Sequence, residues 1–143
     1  ISEGLSGHKK ASAKRLAALG KFIANSAQTV LNVKNWYIEK VRYMGPDFGI
    51  GAAIWDGGLT VKRPKAAIDF ATTTEEKNAV LRKMIELAKA EIENAKDTLP
   101  LVEADSRLGF EPSMEYMADK EHILWKIAVC EKVIEKELLP LIK

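Results

Sequence analysis

The sequence LPLVEADSRLGFEPSMEY, residues 99–116, stands between two strongly periodic helical segments and decides how they are joined. Glu103, Asp105, Arg107, Glu111 and Glu115 crowd into it, and Pro100, Gly109 and Pro112 punctuate it. A stretch so charged and so interrupted reads as an ordered acidic loop over 100–118. Pro100 kinks or ends the helix before it, because proline lacks a backbone N–H and its ring clashes with the carbonyl four residues back.

Working outward, Asp119 is a good cap for a last helix over 120–139. Ile123, Ile127, Cys130, Ile134 and Leu138 form its apolar stripe, Pro140 closes it, and Cys130 reads as a small core residue. On the other side of the loop, Thr73-Thr74-Glu75-Glu76 fits a capping box, with Thr73 as cap and Glu76 reaching back to its N–H. The helix that follows, 74–99, carries Leu81, Met84, Ala88, Ile92, Ala95 and Leu99 on one face. Its Lys, Glu and Asn residues read as a solvated face.

Residues 48–72 read as a hairpin and linker. Ile50, Ala52 and Ile54, then Leu59 and Val61, alternate about Asp56-Gly57-Gly58, and Asp-Gly favours the tight turn of a hairpin. Trp55 sits beside that turn, either open to a ligand or covering the end of the core. From 8 to 44 the apolar residues Leu16, Leu19, Ile23, Val30, Val33, Tyr37 and Val41 recur in steps compatible with one long amphipathic helix. Gly20 within it suits the close packing of a neighbour, and Gly45-Pro46 ends it. The expected fold is mainly α: one domain over 1–143, an antiparallel three-helix bundle with a long first helix and a short β-hairpin or loop insertion. The first helix is longer than its partners, so its excess apolar surface calls for a cover.

Composition narrows the function classes. The 143 residues carry 22 basic and 20 acidic side chains, a balance that gives no reason to expect nucleic acid or an anionic membrane as partner. Lys9-Lys10 and Lys14-Arg15 read as a solvated helix face. Cys130 is the only cysteine, which excludes an internal disulfide and a cysteine-based zinc site. No apolar run reaches the roughly 18–20 residues of a membrane span. The chain opens Ile-Ser-Glu-Gly-Leu without an initiator Met, so a fragment or processed chain is expected, and cytoplasm and export both remain open.

Common catalytic patterns are missing. His8 and His122 lie far apart, and neither belongs to a His-Glu-x-x-His motif. Gly49-Ile50-Gly51 starts like a dinucleotide fingerprint, but Ile54 stands where its third glycine belongs. There is no Walker motif and no Gly-x-Ser-x-Gly elbow, so no cofactor or metal is expected. Glycoside hydrolysis uses two carboxyl groups, and Glu111 and Glu115 would share a helical face if Pro112 began a turn. The competing reading pairs Arg107 with Asp105 or Glu111 in a fork that pins the loop across the helix ends.

Residues 99–116, together with Leu16 to Ser26 and Val33 to Tyr37, resemble the C-terminal helical region of large bacterial glycoside-hydrolase-like proteins of the α-glucuronidase type. The resemblance implies a catalytic barrel upstream, with the helical part packed on it and rimming its cleft. Arg107, Glu111 and Tyr116 would face a carbohydrate site or the barrel, and Trp36 would be buried against it. With Asp105, Glu115 and Trp55 added, these are the candidate ligand- or domain-facing residues, none of them assigned to catalysis. The expected function is an accessory helical domain of a carbohydrate-active enzyme, its partners the upstream domain and carbohydrate. The alternative is a standalone helical interaction or oligomerisation module, and a third reading is a small enzyme using Glu111 and Glu115.

Overall fold

The computed structural model describes residues 6–45, 69–111 and 116–143. Helix α1 spans Gly7–Met44 and stops at Gly45, whose φ of 89° carries the chain out of the helix while its N–H still reaches the Val41 carbonyl at 3.1 Å. A side chain at such a φ would be strained. Helix α2 spans Thr74–Ala104 and begins with the full capping box. The Glu76 N–H donates to Thr73 Oγ1 at 3.1 Å, and the Thr73 N–H donates to Glu76 Oε2 at 3.0 Å.

The helix runs through Pro100 for four further residues, where the sequence places its end at 99. Val102, beyond the proline, is buried in the core and Leu99 packs against it. That burial offsets the one hydrogen bond proline cannot donate. Phe110–Glu111 (β1) and Tyr116–Met117 (β2) then form a two-residue antiparallel pair, Phe110 opposite Met117 and Glu111 opposite Tyr116. The hairpin read over 48–63, Trp55 with it, lies outside the described residues.

Helix α3 spans Lys120–Val133 and is capped by Asp119, whose Oδ1 accepts the His122 N–H at 2.9 Å. It does not run on as an α-helix to 139. A π-helical turn, Ile134–Leu138, widens it, and a 3-10 turn, Leu139–Leu141, follows. Pro140 cannot donate the next bond of a regular helix, and the widened turn still buries Ile134 and Leu138. Asn78 brackets the last residue, its Nδ2 donating to the Lys143 carbonyl at 2.7 Å and its Oδ1 accepting the Lys143 N–H at 3.1 Å.

The helices alternate in direction. Asn25 meets Thr98, Asn32 meets Glu91 and the Arg42 carbonyl meets Ala71, so α2 returns along α1. Lys120 pairs with Glu103 and Lys143 with Asn78, so α3 returns along α2. α2 is therefore the middle helix. Its Leu81, Ile85, Ala88, Ile92 and Ala95 form the core with Ile123, Ile127, Ile134 and Leu138.

The apolar row read in α1 is not the row it packs with. Leu16, Leu19, Ile23, Val30, Val33 and Tyr37 are all exposed, Leu16 at 70% and Ile23 at 60%; only Val41 of that row is buried. α1 turns another row inward: Ala18, Phe22, Asn25, Thr29, Asn32, Trp36, Glu39 and Tyr43 are all buried or half-buried. These steps of four and three define a coiled-coil seam, with aromatic residues toward its ends and amides and a hydroxyl in its middle. Among the described residues nothing packs within 4 Å of where a Gly20 Cβ would stand, so the close packing its position suggests is not made there.

Candidate functional site

The middle of the α1–α2 seam is polar because α2 answers it residue by residue. Asn25 Nδ2 donates to Thr98 Oγ1 at 2.9 Å, and the Thr98 hydroxyl donates to the Asn94 carbonyl at 2.7 Å. Asn94 Nδ2 donates back to the Asn25 carbonyl at 2.9 Å and to Thr29 Oγ1 at 3.0 Å. Glu91, only 5% exposed, accepts from Thr29 Oγ1 and from Asn32 Nδ2, both at 2.7 Å. Lys126 of α3 supplies the opposite charge to Glu91 and reaches Thr29 Oγ1 at 3.3 Å. The Lys, Glu and Asn side of α2, read as a solvated face, thus contributes a buried carboxylate and an amide.

A buried carboxylate without partners would be very costly. Here the partners are complete: among the described residues no buried side-chain nitrogen or oxygen lacks a hydrogen bond. The network fixes the register of the three described α-helices, since Glu91 touches α1 and α3 at once. It holds no uncommitted base or nucleophile. Cys130 lies nearby, its thiol pushed up mainly by burial and further by the Glu91 charge, which disfavours the thiolate.

Thr29, Glu91 and Lys126 also divide a groove that lies over α2 between α1 and α3. One half, about 680 Å³, is lined by Phe22, Val30, Ile123 and Trp125, with Asn25 and His122 among its polar atoms. The other, about 200 Å³, is lined by Val33, Trp36, Ala88, Val129 and Val133. Trp125 is 67% exposed, and Val30, Val33, Leu124 and Val129 are exposed with it. The groove mixes these exposed apolar side chains with the polar groups of the seam and is open to solvent, a surface suited to side chains of another folded body.

The candidate residues of the central stretch assemble differently from the sequence reading. Arg107 does fork onto Asp105, its Nε at 2.8 Å from Oδ1 and its Nη2 at 2.6 Å from Oδ2. But the fork closes on itself two residues apart, with the Arg107 side chain 74% exposed, and does not span the helix ends. Glu103 and Lys120 make that link instead, at 2.6 Å. The fork and the Arg107 N–H hold the Asp105 carboxyl down at about 2, ionised near neutrality and unfit as a general acid, which needs a raised value.

Glu111 lies in the extended pair opposite Tyr116, not at the start of a helical turn; Glu115 and Trp55 are outside the described residues. Trp36, read as buried against a barrel, packs half-buried on this chain's own core with Lys40 Nζ 5.5 Å from its ring centroid. No group of three or more His, Cys, Asp or Glu among the described residues is placed to hold a metal ion.

Sequence reasoning missed Asn25, Thr29, Asn32 and Glu91. The available signal was the regular four-and-three spacing of small polar residues between Phe22 and Trp36. Among the described residues no helix is long and apolar enough to cross a membrane. No family model, no curated protein and no solved structure matches the chain.

Proposed function

We propose that this chain is a helical docking unit without catalytic machinery of its own, and that its exposed face on α1 and α3 packs on another folded body. The observation that carries this reading is the apolar row of α1, which the polar α1–α2 seam leaves outside the core. The self-satisfied Glu91–Lys126 network and the ionised Asp105 support a structural role for the charged residues. From the resemblance of residues 99–116 we carry over the identity of that body: the catalytic domain of a carbohydrate-active enzyme of the glycoside hydrolase type, with Arg107, Glu111 and Tyr116 toward it. An association or oligomerisation module acting on a separate protein uses the same face.

The test is the size of the protein in its source cells, followed with an antibody against this chain. Native size-exclusion should place the antigen well above the 15.9 kDa of these residues. Elution at the mass of the free chain would sink the docking reading. A denaturing gel then separates its two forms. A band several times larger supports a catalytic domain in the same polypeptide, and a band near the chain's own mass supports a separate partner.

A further inference from the structure

The outward row of α1 has a regularity that a generic apolar patch lacks. Leu16, Ile23, Val30, Tyr37 and Met44 follow one another at intervals of seven, and all are exposed. Leu19, Ser26, Val33 and Lys40 occupy the intervening places, three residues after each of the first four. α1 thus bears two seams with coiled-coil spacing, and among the described elements α2 packs on one of them. A strict seven-residue repeat over four heptads keeps one face only toward another helix wound about it; on a straight helix the row drifts about 20° per heptad.

The second seam opens onto the groove. Ser26 and Val30 line its larger half and Val33 its smaller half, with Trp125 and Val129 of α3 across from them. A concavity between two helices, floored by a third, suits a rod of side chains rather than a flat bilayer.

Charge selects the kind of rod. α1 carries six lysines and two arginines against the single acid Glu39; Lys21 is paired with Asp97 and Arg42 with Glu39 and Asp69, and the rest still leave the helix basic. Arg15 and Lys34 border the outward seam. A second copy of α1 would bring the same excess of positive charge to the contact, and like charges facing one another are repelled. An acidic helix would be attracted.

Resting on the docking reading above, we propose that the second seam of α1 and the adjoining groove receive an amphipathic helix with an apolar heptad seam and Glu or Asp at its flanks. Four helices then close the bundle. The Glu91–Lys126 pair, dividing the floor, leaves a recess on either side for the partner's large side chains, the smaller one the more apolar.

The probe is a designed four-heptad peptide with Leu at a and d and Glu at e and g, which discourages its own pairing, titrated into the full chain by calorimetry. A control peptide carries Lys at e and g. The acidic peptide is expected to bind at least about tenfold more tightly than the basic one, and to weaken as salt screens the contact. Val30→Glu and Ile23→Glu should each reduce binding at least about tenfold while leaving the melting temperature of the chain unchanged, since both positions are exposed.

Equal binding of the two peptides, no binding at about 100 µM, or undiminished binding by both variants overturns the proposal. Sedimentation showing a wild-type dimer that Ile23→Glu dissolves would assign the seam to a second copy. Adsorption to phosphatidylcholine–phosphatidylglycerol vesicles, lost in Ile23→Glu and with no peptide binding, would assign it to an anionic membrane. Any of these results, beside a high native mass in source cells, would leave the docking reading standing while the acidic helix falls.

Discussion

Two glycines make opposite demands. Gly20 lies mid-helix with nothing among the described residues within 4 Å of where a Cβ would stand, so its effect there is entropic. Gly20→Ala should stabilise the chain by about 0.5–1 kcal/mol, read as a rise in the denaturation midpoint. Gly109 has a φ of 74°, and a Cβ there would meet the Ala118 Cβ at 2.6 Å and the Phe22 ring at 3.0 Å. Gly109→Ala should cost about 1–3 kcal/mol in the same experiment, because both the backbone and the space refuse the side chain.

Glu76 carries the pH dependence at this scale. Backbone N–H donors of Thr73 and Thr72 hold its carboxyl at about 2, below the ordinary 4.5. Its contribution is present in full above the unfolded value near 4.5 and is lost as pH falls through about 2. Acid unfolding of the wild type should therefore steepen between these values, and Glu76→Gln should flatten that slope. The capping box was legible in the sequence because every group in it lies within four residues. The Gly109 contact was not, since Phe22 and Ala118 come from different parts of the chain.

Among the elements, α2 is the one that the other two read. Lys126→Ala would leave the Glu91 carboxylate buried without its cation. The expected loss is about 1–3 kcal/mol in chemical denaturation, tempered because Lys126 is itself one-third exposed. Replacing both residues, Glu91→Leu with Lys126→Met, should recover much of that loss, as apolar substitutes for a buried pair often do. The cap of α3 makes a local prediction: Asp119→Ala should cost about 1 kcal/mol and lower helicity by circular dichroism. Helix positions, caps and the α2 and α3 stripes could be read from spacing alone. The run of α2 past Pro100 and the π-helical turn could not, because burial of Val102, Ile134 and Leu138 against other elements outweighs the local signals.

At the scale of the molecule, the question is which side of α1 is core. Leu81, 1% exposed, should lose about 2–5 kcal/mol on truncation to Ala. Ile23→Ser should shift stability by less than about 0.5 kcal/mol, although Ile23 is the larger apolar signal in a one-dimensional reading. A large loss at Ile23 in the isolated chain would place the outward seam in the core and remove the basis of the docking face. Net charge hides a similar asymmetry: a nearly balanced total conceals a basic α1, of which the sequence reading singles out only Lys9-Lys10 and Lys14-Arg15, as a solvated face.

The sequence by itself determined that the chain is mainly helical, where its helices start, and which stripes of α2 and α3 are apolar. These follow from propensity, capping and periodicity, which act over a few residues. Only the tertiary structure decided which of two interleaved seams on α1 faces inward. Periodicity marks both, and the choice depends on whether Asn25, Thr29 and Asn32 find partners. Those partners, Glu91, Asn94 and Thr98, stand about sixty to seventy residues away, and the folded pairing makes a polar row the buried one.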